Sequence, residues 1–368
     1  MFLSRLEKFD NLLLQNAFSG AVLNPGASLT YLTGLSFHLM ERPVIFFYLP
    51  GKKPVMVLPD LEKAKLEALP YEITTFFYGD NPLKWASAFS KAASFLNLIG
   101  NKLAVEPTRL RFLELEYLNE YAPSITFVSG SAVFDTLRLR KDEAEIAAMQ
   151  KAVEIAQKSF LALLPQIRVG KSEKELASEL TAQLLKFGSD PELPFQVILS
   201  SGPNSANPHA VPGDRVLQTG DLVVVDWGAS YQGYASDLTR TLVLGKPSDQ
   251  QKSIATAALQ ANTAGRAAGK PGIAAGDVDR AARKEIDNAG YGKFFTHRTG
   301  HGLGMEAHET PYMFAENTQI LEPGMVYTVE PGIYLPGDGG VRIEDDVVVT
   351  STGSKSLSDL PRELYVIL

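Results

Sequence analysis

Asp226 ends the apolar run Leu222-Val-Val-Val, a stretch of the kind buried inside a sheet, where a carboxylate is costly unless it is paired or binds a cation. Asp237 follows the segment Tyr231-Gln-Gly-Tyr234. If Gln232-Gly233 is a two-residue hairpin turn, Asp226 lies opposite Thr239, and Asp237 shares its face as a diagonal neighbour. This spacing suits two carboxylates converging on one or two cations, and it fits equally two solvated aspartates on an exposed face. A second pair repeats the logic: Glu330 precedes Pro331-Gly332, and Glu344 lies in Val341-Arg-Ile-Glu-Asp-Asp346. A hairpin centred near Gly337 sets the two glutamates opposite one another, where like charges repel unless a cation sits between them.

Three of the five histidines, His297, His301 and His308, fall in one short segment threaded by Gly300, Gly302 and Gly304. The glycines predict a loop or distorted strand, not a helical zinc pair, and imidazole serves there as ligand or proton carrier. His209, in Asn207-Pro-His209, is a weaker candidate that also reads as a loop residue, and His38 reads as structural. The chain has no cysteine, which removes thiolate zinc sites, iron-sulfur clusters, disulfides and cysteine nucleophiles together. Any metal site must be built from histidine and carboxylates. His-Glu-x-x-His, Walker A, Gly-x-Ser-x-Gly and dinucleotide fingerprints are all absent, leaving metal-assisted hydrolysis.

The elements that must carry these residues follow from periodicity. Val44–Leu49 and Val55–Leu58 flank a Pro-Gly-Lys-Lys turn and predict a hairpin, with helices over Asp60–Ala68, Leu83–Leu98 and Arg109–Tyr121 and a strand at Leu103–Glu106. Beyond Arg140 a long amphipathic helix is predicted over Asp142–Leu164. A second, opened by a Ser172/Glu175 capping box, runs to Phe187, and two more follow over Asp249–Ala268 and Asp277–Ala289. Strands of antiparallel type are predicted at Leu222–Trp227, Thr239–Leu244, Met325–Glu330 and Val341–Thr350. A length of 368 residues predicts two domains, and the change of texture puts the boundary between residues 133 and 134.

With 45% apolar and 21% charged residues, disordered, collagenous and coiled-coil classes are excluded. A formal charge of −7 argues against nucleic acid or an anionic membrane as partner. The N-terminal segment has helical spacing without the apolar stretch of a signal peptide, and no apolar run approaches the about 18 residues of a membrane span, so a cytoplasmic protein is expected.

Asp226, Asp237, His301, Glu330 and Glu344, in that order and spacing, resemble the five-ligand dinuclear site of the pita-bread metallopeptidases, the group of methionine aminopeptidase, aminopeptidase P and prolidase. The strings Ser236-Asp-Leu-Thr-Arg-Thr241, Gly300-His-Gly-Leu-Gly304, Val329-Glu-Pro-Gly-Ile-Tyr334 and Val341-Arg-Ile-Glu-Asp-Asp346 agree, and Leu29-Thr-Tyr-Leu-Thr-Gly34 resembles the creatinase-type N-terminal domain. The resemblance implies an α/β creatinase-like domain over 1–133 and an α+β pita-bread catalytic domain over 134–368, with an antiparallel sheet flanked by helices. It implies Asp226 on one metal, Asp237 and Glu344 bridging, and His301 and Glu330 on the other, Glu330 also shuttling a proton. His209, His297 and His308 would line the pocket, His209 and His308 nearest the substrate, with Arg342 pairing to acidic groups or to the substrate carboxylate. Two divalent ions are implied, manganese first, with cobalt, zinc or iron as alternatives. The expected activity is that of an Xaa-Pro dipeptidase acting on proline-containing dipeptides as a homodimer. The alternatives are an Xaa-Pro aminopeptidase acting on longer peptides and, from another class, a non-catalytic peptide-binding protein on the same scaffold.

Overall fold

The computed structural model describes residues 2–368, and the chain divides into two compact units after Arg138. The first unit is built on a six-stranded mixed sheet. In spatial order its strands are Thr74–Tyr78, Val55–Pro59, Ile45–Tyr48, Gly20–Leu23, Lys102–Val105 and Thr126–Ser129. Gly20–Leu23, Ile45–Tyr48 and Val55–Pro59 pair antiparallel, the latter two forming the expected hairpin, and the flanking strands pair parallel. Central strands with both faces covered need apolar residues at successive positions, which is the pattern of Ile-Phe-Phe-Tyr and Val-Met-Val-Leu. Helices Trp85–Leu96 and Phe112–Tyr121 contribute Trp85, Phe89 and Leu118 to this core. Helix Ser131–Leu139 returns to the same unit, its Phe134 ring 5.8 Å from that of Phe9.

One predicted helix takes another form. Asp60–Ala68 winds as a 3₁₀ stretch with no buried residue, and Leu61 is exposed. With no apolar face to bury, nothing selects the 3.6-residue period over the tighter turn.

The second unit holds a four-stranded sheet ordered Tyr365–Ile367, Leu238–Leu244, Leu222–Trp227 and Ile198–Ser201. A five-stranded antiparallel sheet is ordered Glu309–Met313, Gly300–Gly302, Val326–Val329, Asp345–Val349 and Ser354–Ser356. Helices Glu143–Leu163 and Glu173–Lys186 flank the first sheet. Both open with reciprocal capping boxes, Asp142 with Glu145 and Ser172 with Glu175. Trp227 anchors this layer: its ring stacks on Phe160 at 4.5 Å and its indole N–H donates to the Ala156 carbonyl at 2.8 Å. Helices Asp249–Ala268 and Ala275–Asn288 meet through Ala258, Ala261 and Ala282, small residues that permit close approach, and bury Ile254 and Ile286 against Ile333, Val341 and Ile343.

The segment Val341–Thr350, predicted as one strand, is two. Gly339–Arg342 pairs with Gly332–Leu335, Asp345–Val349 belongs to the five-stranded sheet, and the chain leaves one ladder for the other at Ile343-Glu344. Its partner breaks at the matching point, because Pro331 has no N–H to give to a ladder. The two glutamates singled out by the sequence therefore stand at a shared break between sheets.

Candidate metal centre

The first hairpin has the register that a two-residue turn dictates. Tyr231 pairs with Tyr234 across Gln232-Gly233, both in the left-handed region at φ 53° and 78°, as a type I′ turn requires, and Thr239 faces Asp226. Alternation along Leu238–Leu244 then puts Thr239 on the Asp226 face and Arg240 on the opposite one. In the second hairpin, Val329 pairs with Asp345 and Gly332 with Arg342, which sets Glu330 opposite Glu344. The hairpins are tied at this point: the Glu344 N–H donates to the Thr239 carbonyl at 3.1 Å, and the Thr239 hydroxyl donates to Glu344 Oε2 at 2.6 Å.

His301 arrives on Gly300–Gly302, where a side chain at Gly300 would run into the Thr328 carbonyl, so only glycine allows the approach. The His301 Nδ1–H donates to the Gly302 carbonyl at 3.1 Å, which leaves the Nε2 lone pair 3.7 Å from Asp237 Oδ2 and 3.5 Å from Glu330 Oε1. Burial, with the neighbouring His308, lowers its pKa to about 3, so the ring is neutral at physiological pH and free to act as a ligand.

Ligand atoms of Asp226, Asp237 and Glu344 lie within 4.8 Å of one another, as do those of His301, Glu330 and Glu344, and those of Asp237, His301 and His308. Glu344 belongs to two of these groups, and so does Asp237. Burial and mutual repulsion raise the Asp237 and Glu344 carboxyls well above their ordinary range, and burial pushes Glu330, which keeps one edge exposed, up to about 8. Oδ1 of Asp226 and Oδ1 of Asp237 are buried without a hydrogen-bond partner. Orphaned carboxylate oxygens, crowded like charges and one neutral imidazole form a donor set suited to divalent cations.

Residues 147–351 match metallopeptidase family M24, and residues 5–140 match the creatinase/prolidase N-terminal domain. The chain belongs to metallopeptidase family M24. It is 35% identical over 365 residues to an Xaa-Pro dipeptidase of Pyrococcus horikoshii, covering 98% of each sequence. Its fold superposes on a prolidase from Thermococcus sibiricus with a TM-score of 0.94 at 36% identity, over 100% of this chain and 99% of that one. An X-Pro aminopeptidase from Thermotoga maritima gives 0.86 at 30% identity, over 98% and 99%.

The remaining candidates of this M24 chain stand around the five. The His308 ring lies 3.9 Å from that of His301, and the residue is exposed. His209 sits exposed on a loop whose Pro208 carbonyl accepts from Arg342 Nη1 at 3.3 Å. Arg342 itself pairs with Asp226, Nη2 to Oδ2 at 2.6 Å, and so already has an acidic partner within the protein. His297 does not meet the carboxylates. Its Nδ1 faces the Arg298 carbonyl at 2.8 Å and its Nε2 the Tyr334 hydroxyl at 2.9 Å. Burial lowers its pKa to about 4. His38 is an exposed residue of the first unit.

Tyr334 carries no metal-ligand signal in the sequence, yet it connects this array. Its hydroxyl accepts from Arg342 Nη1 at 3.0 Å and so turns its own proton to His297 Nε2. Tyr334→Phe removes the partner of His297 Nε2 and one of the two acceptors of Arg342 Nη1, at a cost of about 1 to 3 kcal/mol, and loosens the arginine that holds Asp226. We expect kcat/KM to fall about ten- to a hundredfold, with a lowered melting temperature, in steady-state assays and thermal denaturation. A wild-type kcat/KM would show that the hydroxyl is not needed to hold Arg342.

Proposed function

We propose that this M24 metallopeptidase is an Xaa-Pro dipeptidase that hydrolyses the bond between an N-terminal residue and proline at a dinuclear centre. The observation that carries the reading is the pair of ligand groups sharing Glu344, in a chain similar from end to end to Xaa-Pro dipeptidases. Asp226, Asp237, His301, Glu330 and Glu344 would hold the two cations, Asp237 and Glu344 each being shared by two ligand groups. When bound, two divalent cations polarise the scissile carbonyl and lower the pKa of water. The protein's own groups then orient and move protons. Arg342 takes Oδ2 of Asp226 and leaves Oδ1 for the cation. Glu330, whose burial raises its proton affinity, takes the proton of the attacking water and passes it to the proline nitrogen. His308 and His209, both exposed, donate to the substrate carbonyl as charge develops there. Four carboxylates and one imidazole favour manganese, with cobalt, zinc and iron as competitors. A homodimer and a cytoplasmic location complete the reading.

The aminopeptidase reading rests on the similarity to the Thermotoga maritima structure, and the higher TM-score to the prolidase favours the dipeptidase. A panel of Xaa-Pro dipeptides and Xaa-Pro-Xaa tripeptides with Mn²⁺-loaded protein decides between them. We expect kcat/KM to be at least about tenfold higher on the dipeptides, a difference of about 1.4 kcal/mol in transition-state binding. Faster turnover of tripeptides would replace the dipeptidase by the aminopeptidase, and loss of activity on both would leave a binding protein.

A further inference from the structure

Glu344, Asp345 and Asp346 are three consecutive buried acids with three different partners. Glu344 faces the ligand cluster, and Asp346 Oδ2 accepts the backbone N–H of Asp237 at 3.0 Å. Asp345, on the other face, meets Arg240, and both side chains are fully buried. A guanidinium has five N–H groups, and Arg240 places all five. Nη1 donates to the carbonyls of Thr239 at 2.9 Å and Glu344 at 2.6 Å; Nη2 donates to Asp345 Oδ1 at 2.9 Å and the Leu360 carbonyl at 3.1 Å; Nε donates to the Pro361 carbonyl at 2.8 Å.

Asp345 is equally committed. Ser358 Oγ and Arg362 Nε reach it from the C-terminal segment at 2.5 and 2.7 Å, and Asn262 Nδ2 reaches it at 3.1 Å. Asn262 Nδ2 also lies 3.0 Å from the Val329 carbonyl and 3.3 Å from that of Ile343, the residues just before Glu330 and Glu344. The backbones carrying Asp237, Glu330 and Glu344 therefore converge on one buried ion pair behind the sheet, and residues 358–362 close over it.

We propose that Arg240, fixed by Asp345 and by residues 358–362, is a positioning residue for the metal centre: it sets the spacing of Asp237 and Glu344 and thereby the affinity for two cations. The proposal rests on the dinuclear reading above. Both hairpin strands end in short irregular segments at the ligands, so their alignment comes from cross-strand ties, and Arg240 bonds to the backbone on each side of the junction. Neither partner touches the ligand cluster's own oxygens. The pair acts through the main chain.

The test measures Mn²⁺ binding to chelator-stripped full-length protein by titration calorimetry, with circular dichroism to establish folding. Arg240→Lys keeps the charge and loses the five-point geometry, so its Mn²⁺ affinity falls about ten- to a hundredfold. At saturating Mn²⁺ it recovers part of its kcat while KM for an Xaa-Pro dipeptide changes little. Ser358→Ala removes an Asp345 partner without touching the sheet, Arg362→Gln removes another together with a bond to Ser356 Oγ on the outer strand, and both lower Mn²⁺ affinity by smaller factors. They decide the question if Arg240→Lys does not fold. Wild-type Mn²⁺ affinity in the folded variants, with only a lowered melting temperature, would overturn the proposal and leave a purely structural ion pair. Failure of the wild-type chain to bind two Mn²⁺ would instead remove the dinuclear reading, and the proposal with it.

Discussion

Glu344→Gln, and separately Asp237→Asn, abolish tight binding of divalent metal and lower kcat on Xaa-Pro dipeptides by at least about a thousandfold, equivalent to about 4 kcal/mol of lost transition-state stabilisation. The size follows from position: each of these side chains belongs to two ligand groups, so neutralising it removes charge from both. The substitutions are nearly isosteric, and the amide oxygen that replaces the Glu344 carboxylate can still accept from Thr239. Folding is retained. Indeed the stripped variants melt higher than stripped wild type at pH 8, because burial and neighbouring acids already push these carboxyls toward the neutral form. Elemental analysis of dialysed protein, initial rates and thermal melts in chelator measure the three effects. Full activity in either variant would refute the dinuclear mechanism. Lost activity with full metal content would move the role of that carboxylate from binding to chemistry.

How far the sequence reaches is clearest in the two hairpins. A two-residue turn at Gln232-Gly233 permits one register only, so the opposition of Asp226 and Thr239 follows from counting residues. Gly337 centres the second hairpin in the same way, and Leu335 pairs with Gly339. What counting cannot give is the break. Val341–Thr350 alternates well enough to read as one strand, and only the bridge from Thr239 to Glu344 shows why the chain changes sheets there. Arg240 was illegible for a related reason. In Leu-Thr-Arg-Thr it looks like any exposed strand arginine, and its anionic partner lies 105 residues away. Tyr334 closes the string Val329-Glu-Pro-Gly-Ile-Tyr, but a tyrosine in a strand is ordinarily a packing residue, and its hydroxyl gains meaning only when Arg342 and His297 are seen on either side. The Ser172/Glu175 capping box shows the opposite case. Its partners are three residues apart, and the helix begins where the pattern puts it.

The same carboxylates make the stability of the metal-free chain depend on pH in a direction unusual for acids. Glu330, at about 8 in the folded chain against an ordinary 4.5, holds its proton more tightly when folded, and Asp237, Glu344 and Asp346 are raised as well. A raised acid contributes stability that is complete below the unfolded value and lost as pH rises through the folded one. The buried histidines work the other way: His301 at about 3 and His297 at about 4, against 6.5 when unfolded, contribute stability that is present above 6.5 and lost as pH falls toward 4 and 3. Above pH 6.5 the histidine contributions approach their full value and the several raised acids dominate the slope. From there to pH 8 the stripped chain loses stability, at about 1.4 kcal/mol per pH unit for each proton by which the folded state exceeds the unfolded. Bound divalent metal reverses the trend, because a cation competes with those protons and binds better as they leave. At a free metal concentration a thousand times its dissociation constant it adds about 4 kcal/mol. Thermal melts across pH 6.5 to 8, with chelator and with Mn²⁺, are expected to diverge, the first series falling and the second level or rising. Parallel series would mean that the acids are not held close enough to trap protons, and the crowding that makes this cluster a metal site would be absent.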